Sequence, residues 1–201
     1  MKIDRNLRLI TPLETQKNGV AHIYSMAIER VIFEQFYLEL GKVYSQCFDS
    51  KNPEHFILSA PQLAYPALKS ISMKMGTWEI KNAEGIVIGG VKSGMINEIV
   101  RLSTVMINGN NGWESLPLHT AIQRKLIDED EEAEVLSSLI FFTVVCRVAP
   151  TEIANYLLQA SASMRNWVLT LSDSMEFMSG LPTLTKADAI GAIQQESSVI
   201  Y

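Results

Sequence analysis

Cationic side chains are scarce in this chain. It carries 17 lysines and arginines against 22 aspartates and glutamates, a net charge of -5 over 201 residues. Sequence-independent binding to a phosphate backbone is driven by Lys and Arg, so nucleic acid is not an expected partner. Cysteine is scarcer. Cys47 and Cys146 lie far apart, each in an apolar stretch, the setting of two buried thiols rather than of a disulfide framework. Nothing calls for an oxidising compartment. Long hydrophobic runs are missing too: no stretch reaches the roughly 18 apolar residues of a spanning helix. The opening "MKIDRNLRLITP" also lacks the apolar run and small-residue cleavage site of a signal peptide. The expectation is a soluble, cytoplasmic protein without a membrane partner.

Charged residues are somewhat few at 19%, but the 47% hydrophobic content is ordinary for a globular chain and excludes general disorder. The length suits one sizeable domain, or one domain with a small appendage, and the first is the expectation. Residues 1–182 read as a single, mostly helical domain. The weakly patterned stretch 183–201 reads as a flexible C-terminal tail.

The fold class expected from the pattern is mainly α within an α+β architecture. Leu7 and Leu9 alternate with polar residues, Pro12 interrupts, and Lys17-Asn18-Gly19 stands before Val20 and Ile23. Asn-Gly between apolar runs is a strong hairpin signal, so residues 5–28 are expected to form an N-terminal β-hairpin. From Glu29 to Phe48 the period becomes helical: Ile32, Phe36, Leu40, Val43 and Cys47 form a stripe flanked by Phe33, Tyr37 and Tyr44, with Glu34, Glu39 and Lys42 outside it. Asp49–Glu54 reads as a loop. Ser59 and Gln62 then have capping-box spacing for a helix carrying Leu68, Ile71 and Met75 to Gly76, in which Pro66 marks either a kink or the true start. The Gly-rich stretch around Ile86–Ile88 leaves a second short hairpin near 78–91, or an irregular insertion, open.

Further on, Ser93 is placed to cap a helix with Met95, Ile99, Leu102 and Met106 on one face, ended by "NGNNG" at 108–112. Trp113–Leu116 should be extended ahead of Pro117, which opens a short helix through Ile127. Ile153, Leu157, Ala160, Met164, Trp167 and Leu171 keep a helical rhythm. Asp173 with Glu176 marks a fresh cap, and Gly180 with Pro182 a stop.

Asp128–Glu134 packs six acidic residues into seven positions just before an almost wholly apolar run. A calcium loop needs Gly at its sixth position and a bidentate Glu at its twelfth; counted from Asp128, Ala133 and Leu139 stand there. Asp128 and Glu131 instead have N-cap and N3 spacing, and carboxylates in a first turn are favoured by the unpaired amides. With Val135, Leu139, Phe142 and Cys146 as one stripe, widened by Leu136, Ile140 and Val144, this is a buried helix with an acidic entrance.

The sequence carries no complete catalytic motif. In "GIVIGGVKSG", Gly85 and Gly90 have phosphate-loop spacing, but Val91 stands where Lys is required. Ser93 lacks the Gly two places before it that a nucleophile elbow needs. His22, His55 and His119 are scattered without zinc-ligand spacing. The expectation is a non-enzymatic protein with no cofactor and no metal. The Met and aromatic residues of "SMRNWVLTLSDSMEFMSGLP" suit an adaptable partner surface, making Met164, Trp167, Met175, Phe177 and Met178 the candidate protein-binding residues, with core packing the competing role.

Taken together, "DRNLRLITPLET", "VAHIYSMAIERVIFEQFYLELGKVY", "MKMGTWE", "GWESLPLHTAIQRKLIDEDEEAEVLSSLIFFTV" and "SMEFMSGLPTLT" resemble the tail assembly chaperones of tailed bacteriophages. "EGIVIGGV" and the stretch between Ser161 and Ser172 depart from that pattern. The resemblance implies a chaperone that coats the phage tape-measure protein, helps recruit tail-tube subunits, and acts in the host cell cytoplasm during infection. It further implies that the C-terminal part is carried on a longer frameshifted product. Self-association into a homo-oligomer is compatible with this role. A structural virion protein of the tail or head-tail junction is the alternative.

Overall fold

In the computed structural model, the described residues are 7–15, 19–48, 53–76, 80–81, 87–89, 94–109 and 112–181. Strands β1 (Arg8–Thr15) and β2 (Gly19–Met26) form the expected N-terminal hairpin, antiparallel from Arg8↔Met26 to Thr15↔Gly19. Gly19 has φ +68, a conformation that costs glycine nothing, and Thr15 Oγ1 donates to its carbonyl at 2.8 Å. Lys17 and Asn18 lie outside the described residues. Pro12 does not interrupt β1 but pairs with His22. Among the described residues the short strand β7 (Val168–Thr170) flanks β1 only from Arg8 to Ile10, so Pro12 lies beyond the part of β1 that is paired on both sides, where proline is better tolerated.

After the hairpin come α1 (Arg30–Phe48) and α2 (Pro53–Met75). Strands β3 (Ile80–Lys81) and β4 (Val87–Gly89) pair antiparallel as a short second hairpin. Gly85, Gly90, Val91, Lys92 and Ser93 of the phosphate-loop comparison lie outside the described residues. Then follow α3 (Gly94–Arg101), β5 (Ser103–Gly109), β6 (Gly112–Pro117), α4 (Leu118–Gln123), α5 (Glu129–Val148), α6 (Thr151–Arg165), β7 and α7 (Ser174–Ser179). Five strands make one antiparallel sheet in the order β6-β5-β2-β1-β7. Pro182 and the expected tail 183–201 lie outside the described residues.

The short helix expected through Ile127 ends at Gln123, just before Lys125 takes φ +54, and four further local expectations are corrected. The helix expected to carry Met106 ends at Arg101, and Met106 lies in β5 opposite His22. Ser103 makes the switch: its Oγ donates to the Ile99 carbonyl and shares a hydrogen bond with Ser25 Oγ, both at 2.7 Å. One hydroxyl thus caps a helix end and ties it to the sheet. Of "NGNNG", Asn108 and Gly109 end β5 and Gly112, opposite Gly109, begins β6; Asn110 and Asn111 lie outside the described residues.

Second, α2 begins at Pro53 rather than at a Ser59 cap, and both Pro61 and Pro66 lie inside it. Pro53 and Glu54, expected in a loop, are its first residues; proline suits a first turn because its missing N–H has no helical partner there. Third, α6 stops at Arg165. Asn166 adopts φ +55 and the Trp167 N–H bonds the Ala162 carbonyl at 3.1 Å, so Trp167 and Leu171 are not on the helix. Asn is the commonest substitute for glycine at such a stop. Fourth, Glu39, expected outside the α1 stripe, is only 3% exposed and faces Ser72 of α2 at 3.5 Å. Two helices flank α1, so its buried arc is wider than one stripe.

The acidic entrance behaves as the spacing implies. Asp128 Oδ1 accepts from the Glu131 N–H and Glu131 Oε2 accepts from the Asp128 N–H, both at 2.8 Å. Every residue from Val135 to Val145 is buried, because α5 lies between β1 and helices α1, α2, α3 and α6. A helix enclosed this way needs no polar face. One face of the sheet, with Leu9, Leu13, Ala21, Ile23 and Val105, joins this core. The other carries a separate cluster of Ile10, Tyr24, Met106 and Met178.

Candidate protein-binding groove

Arg30, Phe33, Glu34 and Tyr37 recur at i, i+3, i+4 and i+7 and so share one face of α1. The C-terminal turn of α5 brings Cys146 and Arg147 beside them, and Glu29 completes an open groove of about 820 Å³. Its apolar lining is half-buried Phe33, Tyr37, which is 55% exposed, and Cys146. Its charges are of both signs. Arg30 Nε and Glu34 Oε1 pair at 3.0 Å, a solvated i,i+4 contact that orients the two side chains more than it stabilises the helix.

The thiol of this groove is a weak acid. Burial pushes the Cys146 thiol up to about 12, with the nearby Arg147 cation only partly opposing it. At neutral pH the sulfur is protonated, and the thiolate is the nucleophilic form. An apolar strip with a rim of mixed charge matches one side of an amphipathic helix.

The candidate residues from the sequence are divided among three places. Met164 is 55% exposed and borders a cleft of about 370 Å³ with Ser59, Gln62 and Arg165. Trp167 is 6% exposed, its ring centroid 6.0 Å from that of Phe141 and the Arg165 guanidinium 5.9 Å above it. Met175, Phe177 and Met178 are on α7, which Asp173 caps by accepting from the Glu176 N–H at 2.8 Å, as expected. Met178 is buried against the outer sheet face, half-buried Phe177 meets the edge of His22 at 5.7 Å, and Met175 points away, 69% exposed.

His22 packs between Phe177 and Trp113, whose ring is 5.4 Å away, and burial lowers its pKa. His119 is exposed beside Thr120 Oγ1 at 3.2 Å. Phe33 and Tyr37 were legible as flanks of the α1 stripe. Their meeting with Cys146 was not, because no local signal pairs two segments so distant in sequence. Among the described residues, no three His, Cys, Asp or Glu side chains are grouped to hold a metal ion, and no helix is long and apolar enough to cross a membrane. No protein-family model matches the chain, and no curated protein or solved structure is significantly similar to it.

Proposed function

We propose that this chain is a non-enzymatic tail assembly chaperone of a tailed bacteriophage. It holds an amphipathic helical segment of the tape-measure protein along the α1–α5 groove and helps bring tail-tube subunits to it in the host cytoplasm. The observation that carries the binding part is the groove itself. Phe33 and Tyr37 offer apolar contact on a rigid helix, and Glu29, Glu34 and Arg147 stand around them to meet polar flanks of either sign. Its openness suits a client that must be released when the tube polymerises, since a rim-exposed contact contributes less affinity than an enclosed pocket. The identity of the client comes from the sequence resemblance.

The test is co-purification of the chain with the tape-measure and tail-tube proteins of the same genome, compared with the content of mature particles. Capture of the tape measure, its loss on Tyr37→Glu with an unchanged melting temperature, and absence from particles are the expected results. Presence in particles at fixed stoichiometry would instead make the chain a structural component of the tail or head-tail junction.

A further inference from the structure

The outer face of the sheet forms a second apolar surface, separate from the main core. Ile10 and Met106 are fully buried there, Tyr24 is nearly so, and Met26 and Trp113 pack against them. Among the described residues, what covers this surface is α7, a helix of six residues. A helix that short has no stability of its own, so it is helical only while docked. Its hold is slight. Met178 is its one buried side chain, Phe177 is half-buried against His22, and the remaining positions face outward or are partly exposed. At its start the strap is tied to the sheet by the Tyr24 hydroxyl, which donates to the Ser172 carbonyl at 3.2 Å and itself accepts from Arg8 Nε at 3.1 Å.

We propose that α7 is a displaceable strap that occupies, in cis, a helix-accepting face of the sheet. The occupant that replaces it is an amphipathic helix of a client presenting an aromatic side chain next to a Met or Leu. The template for that occupant is α7 itself, whose Phe177 and Met178 fill the face. This inference rests on the reading of the chain as a binder of amphipathic helices and adds a second, gated site to the groove. Opening the strap uncovers Ile10, Tyr24, Met106 and Trp113 together, an apolar patch of the kind that marks interaction sites.

Hydrogen exchange on the full-length chain tests the strap. The α7 amides are expected to exchange by local opening, and Tyr24→Phe, which keeps the ring and loses both hydroxyl bonds, should speed them about tenfold while leaving β2, β5 and α5 unchanged. A labelled peptide of residues 171–181 is the binding probe. It is expected to bind the full-length Phe177→Ser/Met178→Ser variant, shifting the Trp113 and His22 resonances, and to bind the parent chain about tenfold more weakly because α7 competes in cis.

Exchange of α7 only together with α5 would overturn the proposal, and so would failure of the peptide to bind a variant whose α5 amides remain protected. Should the double variant not fold, the parent and Tyr24→Phe exchange rates still decide. Tyr37→Glu separates the two readings: peptide binding that survives it while tape-measure capture never occurs would sink the chaperone function and leave the strap standing.

Discussion

The hydroxyl of Ser137 in α5 donates a 2.9 Å hydrogen bond to the carbonyl of Gln62 in α2. That carbonyl is the one that would accept the N–H of residue 66 in an uninterrupted helix, and Pro66 has none. The same hydroxyl accepts the Tyr65 N–H at 3.1 Å. One serine from the central helix thus serves both backbone groups that the proline disturbs, which is how α2 carries Pro66 without ending there.

Ser137→Ala should therefore destabilise the fold by about 0.5–1.5 kcal/mol, the net contribution of a part-buried hydrogen bond. Pro66→Ala restores the helical N–H, so in the double variant the loss should shrink. Urea unfolding of the four proteins measures the coupling. Equal losses in both backgrounds would disprove the account.

The start of α5 rests on the reciprocal Asp128–Glu131 box. Asp128→Ala should lower stability by about 0.5–2 kcal/mol, whereas Asp128→Ser should recover most of it. Thermal melts at neutral pH check both.

Lys125 ends α4 with φ +54, where its N–H bonds the Ile122 carbonyl and the Leu126 N–H bonds the Ala121 carbonyl, each at 3.0 Å. A glycine is expected at such a stop. Lys125→Ala loses the same side chain as Lys125→Gly but keeps the left-handed strain, so the glycine variant should be the more stable of the two by about 0.5–1 kcal/mol in urea unfolding. Equal urea midpoints for the two variants would show that the backbone here carries no such strain.

His22 is held neutral by burial, its pKa lowered from the ordinary 6.5. As pH falls through about 6.5 the unfolded chain takes up a proton that the folded chain does not, so stability is complete above that value and declines below it. The decline between pH 7.5 and 5.5 should be smaller in His22→Gln. An equal decline in both would place the titrating group elsewhere.

Burial pushes the Cys47 thiol up to about 11 and the Cys146 thiol up to about 12. Both should react slowly with an aromatic disulfide reagent at pH 8 in the native protein and promptly in urea. Rapid native reaction of Cys146, which borders the groove, would mean that the end of α5 opens locally.

How much of this was legible varies with the range of the force involved. Asn18-Gly19 announced the hairpin, and the acids of 128–134 announced the helix start, because turn and cap preferences act within a few residues. The α5 stripe, widening until no polar face remained, announced a helix buried on all sides. By contrast, Met95, Ile99, Leu102 and Met106 satisfy a helical period, yet pairing of Ser103–Met106 with β2 overrides it, and Ser103 caps the helix end.

By itself, then, the sequence determined the α+β character, the N-terminal hairpin, the buried central helix and the caps at Asp128 and Asp173. The tertiary structure decided that Glu39 is buried, that Ser137 repairs Pro66, that Phe33 and Tyr37 meet Cys146 in a groove, and that α7 lies across the outer sheet face. Local signals are set by backbone geometry and hydrogen bonding along a few residues. Burial and juxtaposition depend on which distant segments the core brings together, and no spacing along the chain encodes that.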